Sequence, residues 1–234
     1  MLNFWFQSSV LLSLGFLVLV VPTPRAAGSW PNLAAQQTPP PTTEWRDDFS
    51  GTALDPAKWE RFTFEGGSGG TIRVEEDQLR MRSVSGARAG VRSKPAFNAD
   101  HFIVEGTIAK VGTALPEPGQ SGEQIGNAIL TILFDDSGRN RIEWLLRSDG
   151  RLEAWSMIDG RGERLDGQNL ATRAQKPTLA IVRRGDEFLF MLNGTEGLRR
   201  TLKGTPRSFH VMLYGFGSSE NNWDSTRVVT VKAK

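Results

Sequence analysis

From residue 45 onward the chain is cut by turn-forming dipeptides, and no stretch between them carries the apolar period of a helix. Ser137-Gly138, Asp149-Gly150, Asp159-Gly160, Asp166-Gly167, Gly185-Asp186 and Asn193-Gly194 separate runs of β-branched, aliphatic and aromatic residues. These runs are FIVEGTIAKV (Phe102 to Val111), NAILTILF (Asn127 to Phe134), RIEWLLR (Arg141 to Arg147), RLEAWSMI (Arg151 to Ile158), PTLAIVRR (Pro177 to Arg184), EFLFMLN (Glu187 to Asn193), FHVMLYGF (Phe209 to Phe216) and RVVTVKA (Arg227 to Ala233). Short strands spaced roughly 8–12 residues apart point to an all-β fold, an antiparallel two-sheet sandwich or a barrel. No internal repeat is evident, which argues against a propeller.

Turn chemistry predicts which side chains share a face. Ser148-Asp149-Gly150 suits a three-residue hairpin with Gly150 in the left-handed region. That register sets Leu146 opposite Leu152 and Trp144 opposite Ala154 on an apolar face. On the other face it sets Leu145 opposite Glu153, Glu143 opposite Trp155 and Arg141 opposite Met157. A two-residue loop would slip the pairing by one and mix charge into both faces. Asp159-Gly160 fits a type I′ turn that brings Trp155 beside Arg164, and the DDSGR turn brings Thr131 beside Glu143. The expected result is a row of Thr131, Glu143, Trp155 and Arg164 across four strands of an exposed face, with Arg141 and Arg147 one pleat away from Glu143. A carboxylate, guanidinium groups and an indole plate suit a sugar, whose hydroxyls take forked hydrogen bonds while its C–H face rests on the ring. Solvated Arg–Glu pairs are also ordinary on an exposed sheet, each contributing about 0.2–1 kcal/mol.

Composition removes several chemistries. With 28 Lys and Arg against 26 Asp and Glu, the net charge of +2 is too small for a nucleic-acid-binding surface. The absence of cysteine excludes disulfides, thiol nucleophiles and cysteine-held metals. The two histidines, His101 and His210, are far apart in sequence and support no metal reading. Gly66-Gly67-Ser68-Gly69-Gly70 matches G-x-S-x-G in letters only, because a nucleophile elbow needs a helix after it and Thr71 to Val74 begins another strand.

The first 28 residues read as a signal peptide: an apolar block from Val10 to Val21, then Pro22, Pro24 and the small residues Ala26 to Ser29. Its start, MLNFWFQSS, lacks Lys and Arg, so an uncleaved anchor over residues 2–24 is the alternative. Residues 29–43 form a Pro-rich linker and residues 44–234 the folded domain. An exported domain without disulfides fits a bacterial periplasmic or extracellular setting.

DDFSGTALDPAKWE (Asp47 to Glu60), LFDDSGRNRIEWLLRSDGRLEAW and LAIVRRGDEFLFMLNGTEG resemble the concanavalin A-like lectin/glucanase jelly rolls, particularly laminin-G-like and 3-keto-disaccharide-hydrolase-like domains. The resemblance runs from about Trp45 to the C-terminus and implies a jelly-roll sandwich. It is weakly specific for activity, since that fold hosts lectins, hydrolases, lyases and inert modules. The E-x-D-x-x-E motif of the laminarinase-type members is missing. The resemblance also implies a structural Ca²⁺ between first and last strands, with Asp47, Asp48 and Asp224 as candidate ligands.

Three readings follow. The first is a non-catalytic carbohydrate-binding domain using Trp155, Glu143, Arg141, Thr131 and Arg164 on the concave face of one sheet. The second is an atypical glycoside hydrolase, in which Glu143 and Glu153 are diagonal neighbours at roughly 7–8 Å, within the ~6.5–9.5 Å range of inverting enzymes. The third is an envelope or adhesion module that binds protein rather than glycan. Trp45, Phe49, Trp59, Phe62 and Trp144 are expected in the core. Tyr214 is left between core and ligand face, and Trp223 is placed on a polar loop, Gly217 to Ser225.

Overall fold

The computed structural model describes residues 41–62, 64, 70–83, 88–113, 125–166 and 170–231. The leader, most of the linker, and the segments 66–69 and 114–124 lie outside the described residues. Among the described residues every regular element is a strand. In chain order these are β1 (Thr42–Asp47), β2 (Trp59–Phe62), β3 (Gly70–Glu75), β4 (Gln78–Ser83), β5 (Arg88–Ser93) and β6 (Phe97–Asn98). Then come β7 (His101–Thr113), β8 (Asn127–Leu133), β9 (Arg141–Arg147), β10 (Arg151–Ile158), β11 (Arg161–Arg164) and β12 (Leu170–Ala171). The chain closes with β13 (Thr178–Arg184), β14 (Glu187–Leu192), β15 (Thr195–Thr201), β16 (Ser208–Phe216) and β17 (Ser219–Val231).

Two antiparallel sheets stack as a jelly-roll sandwich. The first runs β15-β14-β13-β7-β17-β4-β3, with β1 also paired to β17. The second runs β11-β10-β9-β8-β16-β5-β2, with β12 beside β10 and β6 beside β16. The expected registers are present: Trp155 opposite Glu143, Leu152 opposite Leu146, Thr131 opposite Glu143 and Trp155 opposite Arg164. The turns explain them. Gly150 adopts φ +83, and Asp159 and Gly160 adopt φ +50 and +81, the left-handed pair of a type I′ loop.

The core lies between the sheets and is built on period-two alternation. In β7, Phe102, Val104 and Ile108 point inward while His101 and Ile103 point out. Trp59, Trp144, Phe188, Phe190 and Phe209 join the same cluster, and Trp45 packs edge-on against Trp59 at 5.2 Å. Each large apolar side chain buried here contributes about 1.5–3 kcal/mol before ordering costs.

Trp223 departs from expectation. It lies inside the thirteen-residue β17 and is fully buried, so Ser219 to Asp224 is strand rather than loop. The polar letters around it mislead because they are satisfied internally. Asn221 accepts from the Trp223 indole at 2.9 Å and donates to the Asn127 carbonyl at 3.2 Å.

A second departure bears directly on function: β8 is buried at every position, and β9 at every position but its last. Burial on both faces means that something covers the outer side of the second sheet.

Candidate functional site

The outer face of the second sheet carries one continuous row of paired residues. From one edge it reads Arg164, Trp155, Glu143, Thr131, Met212, Arg92 and Glu60. The first four are the expected set, brought together as the turns dictate. Their exposure is not as expected. Thr131 is 0% exposed, Arg141 4% and Glu143 5%, so the middle of the row is sealed.

The seal is aromatic. Phe62 ends β2 on this face, and Phe64, two residues on, continues it. Phe64 packs against Phe62 and Tyr214, each at 5.0 Å between ring centres. The Arg88 and Arg141 guanidiniums stand 4.9 and 5.1 Å from its ring centre, at cation–π distance. Ile129, Leu133, Leu145 and Met212 complete a small second hydrophobic cluster, with Trp155 packed at its margin. Tyr214 therefore belongs to neither the inter-sheet core nor an open ligand face. Gly90 is what admits it: a Cβ there would stand 2.5 Å from the Tyr214 Cβ.

Beneath this cluster the polar groups satisfy one another. Glu143 accepts from Arg141 Nε and from the Tyr214 hydroxyl, while Arg141 Nη1 donates to the Gly138 carbonyl. Burial pushes the Tyr214 phenol well above its ordinary range, and the Glu143 carboxylate pushes it further, so Tyr214 acts as a donor. Burial pulls the Arg141 guanidinium down, yet Glu143 and Tyr214 outweigh it and the net direction is up. The Thr131 hydroxyl is buried with no hydrogen-bond partner.

Toward β10 and β11 the face opens. Trp155 is half-buried, and its indole Nε1 donates to Glu153 Oε2 at 3.1 Å. Glu153 Oε1 accepts from Arg147 at 2.9 Å, and Arg164 stands 3.9 Å from the same oxygen. Arg164 is oriented by Asp166 through a bidentate pair at 2.7–3.1 Å. That pairing, outweighing slight desolvation, holds its guanidinium above the ordinary value. Next to Glu153 lies a pocket of about 150 Å³ lined by Ile125, Asn127, Leu145, Arg147, Glu153 and Phe216. Its rim is apolar and open, with Phe216 44% and Ile125 39% exposed. Asn127 fixes the Phe216 corner by bonding both its backbone N–H and its carbonyl, at 3.0 and 3.1 Å. Arg147 Nε is buried without a partner.

Sequence reasoning missed Phe64, Asp166, Asn127, Ile125 and Phe216. The alternation Phe62-x-Phe64 was the available signal for the aromatic cover. No local signal announces the pocket, because its lining comes from four separate segments of the chain.

Two larger hollows are less suited to a ligand with both polar and flat apolar faces. One, of about 330 Å³, is lined by Arg73, Arg80, Arg82, Glu75 and Glu220 without an aromatic side chain. The other, of about 560 Å³, includes Phe97, Asp100, His101 and Arg207, but Phe97 is spent packing on Trp45 and Phe209.

Each candidate calcium ligand has partners within the protein. Asp47 is buried, accepting from the Trp59 indole at 2.6 Å, the Phe49 N–H at 3.1 Å and Lys58 at 3.3 Å. Asp48 accepts from the Ser50 N–H at 3.3 Å, and the Ser50 side chain, with that N–H second, holds its carboxyl below the usual value. Asp224 pairs with Lys176 at 2.9 Å. Among the described residues no group of three His, Cys, Asp or Glu side chains is placed to hold a metal. His210 Nδ1 donates to the Ser93 carbonyl at 2.7 Å, and His101 is exposed at the start of β7.

No protein-family model matches the chain, and no curated protein sequence does. Solved structures do. The chain is similar to SCLam, a non-specific endo-β-1,3(4)-glucanase from family GH16, at 14% identity and TM-score 0.60, covering 83% of this chain and 94% of that one. It is similar to an endo-β-1,3-glucanase from Pyrococcus furiosus at 12% identity and TM-score 0.58, with 81% and 94% covered. A Bacillus licheniformis β-glucanase matches at 10% identity and TM-score 0.60, with 81% and 98% covered. At these identities the likeness establishes the fold alone, a two-sheet jelly-roll β-sandwich.

Proposed function

We propose that this glucanase-type sandwich is an exported glycan-binding module without hydrolytic activity. One observation carries the reading: the half-exposed Trp155 plate stands beside an Arg147–Glu153–Arg164 network that opens onto a pocket of about 150 Å³. An indole supports the C–H face of a pyranose, and an adjoining carboxylate and guanidinium supply acceptor and donor for neighbouring hydroxyls. The fold likeness to proteins whose names concern β-glucans supports the reading. The apolar leader, outside the described residues, is the basis for export to a bacterial periplasm or cell exterior.

The hydrolase reading rests on the diagonal placement of Glu143 and Glu153, which the registers reproduce. It requires both carboxylates at the substrate. Glu143 is instead bonded to Arg141 and Tyr214, the two residues that carry the Phe64 ring.

Tryptophan fluorescence titrated with plant, algal and bacterial oligosaccharides tests the proposal. A saturable shift is expected, with affinity falling at least tenfold in Trp155→Ala and melting nearly unchanged. Undiminished binding in the variant overturns the site. Glycan turnover that disappears in both Glu143→Gln and Glu153→Gln would establish the hydrolase instead. Capture of a protein partner with no glycan response would establish the adhesion module.

A further inference from the structure

We infer that the pocket receives one neutral, terminal pyranose, so that the protein reads chain ends rather than the interior of a polysaccharide. The inference rests on the glycan reading above and deepens it.

Size comes first. A pocket of about 150 Å³ is well below the roughly 300–1,000 Å³ of sites for drug-sized ligands, and it has room for one sugar ring. Neighbouring rings cannot continue across the sheet toward β8, β16 and β5. On the pocket's wall Leu145 is followed along its row by Ile129, Tyr214, Gly90 and Phe62. Phe64 lies against Tyr214 and Phe62 above that row. Its ring is held from three sides, by Tyr214, by Arg88 and Arg141, and by the β8–β9 turn, where a Cβ on Gly138 would meet it at 3.1 Å. A polymer lying across this face would have to displace that cluster. An end-on ligand needs only the open rim between Ile125 and Phe216, with Trp155 reached through its hydrogen-bonded neighbour Glu153.

Charge selects the class. Arg147 is paired with Glu153 and Asp149, and Arg164 with Asp166 and Glu153. Each cation of the site is matched by carboxylates, so a uronate or sulfated sugar would meet Glu153 without a free counter-charge. Among the described lining residues of the pocket, the buried Nε–H of Arg147 is the donor left without a partner. A neutral hydroxyl satisfies it at no electrostatic cost.

The experiment is a length series on the full-length protein: glucose, galactose, mannose, N-acetylglucosamine and glucuronic acid, then the β-1,3- and β-1,4-linked neutral dimers to hexamers and a cyclic β-glucan. Binding is expected for at least one neutral monosaccharide, with affinity within about threefold between dimer and hexamer. The cyclic ligand, which has no end, should not bind. Affinity climbing tenfold or more from dimer to hexamer, or a cyclic glucan binding as well as a linear one, overturns the inference while leaving glycan binding intact. Preference for glucuronic acid overturns the charge assignment. Silence toward every sugar overturns the glycan reading itself. In Phe64→Ala the hexamer should gain at least fivefold over the dimer, since the neighbouring strip of sheet is uncovered; no gain in a folded variant counts against Phe64 as the block. Should that variant fail to fold, the length series on the natural protein still decides.

Discussion

Among single residues, Thr131 shows most directly how a polar letter on the right face can miss the ligand. Its place in the row beside Glu143 is as the turns predict, yet its hydroxyl is buried without a partner. A lone buried hydroxyl costs about 1–3 kcal/mol, so Thr131→Val is expected to be neutral or stabilising by up to about 1 kcal/mol, with sugar affinity unchanged. Urea melts and the fluorescence titration check this together; lost affinity would return Thr131 to the binding site. Tyr214 offers a second check, because it is the only tyrosine in the chain. Burial and then Glu143 raise its pKa in the folded state, so the folded form holds its proton more tightly than the unfolded chain. The unfolded chain therefore binds fewer protons above about pH 10, and stability falls as pH rises through that point. The tyrosinate ultraviolet band should stay absent beyond pH 10 and emerge together with loss of the folded near-ultraviolet signal. Tyr214→Phe should flatten the alkaline decline while losing about 1–2 kcal/mol at neutral pH, since Glu143 forfeits a donor. A tyrosinate band rising at pH 10 in folded protein would show that the ring is open to solvent.

At the scale of elements, close approach between strands sets the limits. β5 can lie against β16 at Tyr214 because residue 90 has no side chain. Gly90→Ala places a Cβ 2.5 Å from the Tyr214 Cβ and 2.9 Å from the Leu213 carbonyl, so strands or ring must shift. The expected loss is about 1–3 kcal/mol, read from the urea midpoint, with weaker effects on sugar binding than Trp155→Ala. The same elements show what the sequence makes legible. Asp149-Gly150 and Asp159-Gly160 fixed two registers because positive φ and facial segregation act locally. The face those registers build was expected to be open, since Arg141, Glu143 and Thr131 are polar. Phe62 and Phe64, some eighty residues earlier in the chain, cover it, and no property of β9 itself announces them. β17 was half missed for a related reason: Asn221 pairs with Trp223 and with the backbone of β8, partners visible only once the sheets are stacked.

Across the whole molecule, the first and last described strands close the fold. β1 pairs with β17 from Thr42 opposite Val231 to Asp47 opposite Thr226, and Arg227 reaches Glu44 at 3.0 Å. Asp47 then ties this strand to the core through the Trp59 indole, and Trp45 packs on the same ring. With no disulfide possible, this long-range pairing and the apolar core must hold the sandwich together. Removing residues 1–38 leaves every described strand in place, so the melting temperature should be unchanged and the transition should remain cooperative. Removing residues 1–48 deletes β1, the Trp45 contact and the Asp47 anchor at once. A buried indole donor and a β17 edge are then left unpaired, costs of about 1–3 kcal/mol for the donor alone, on a total stability of about 5–15 kcal/mol. Scanning calorimetry should show a large drop in melting temperature or no cooperative transition. Retention of the full transition in the longer truncation would mean that β1 is an accessory strand and that the sandwich closes on β7, β17 and β4.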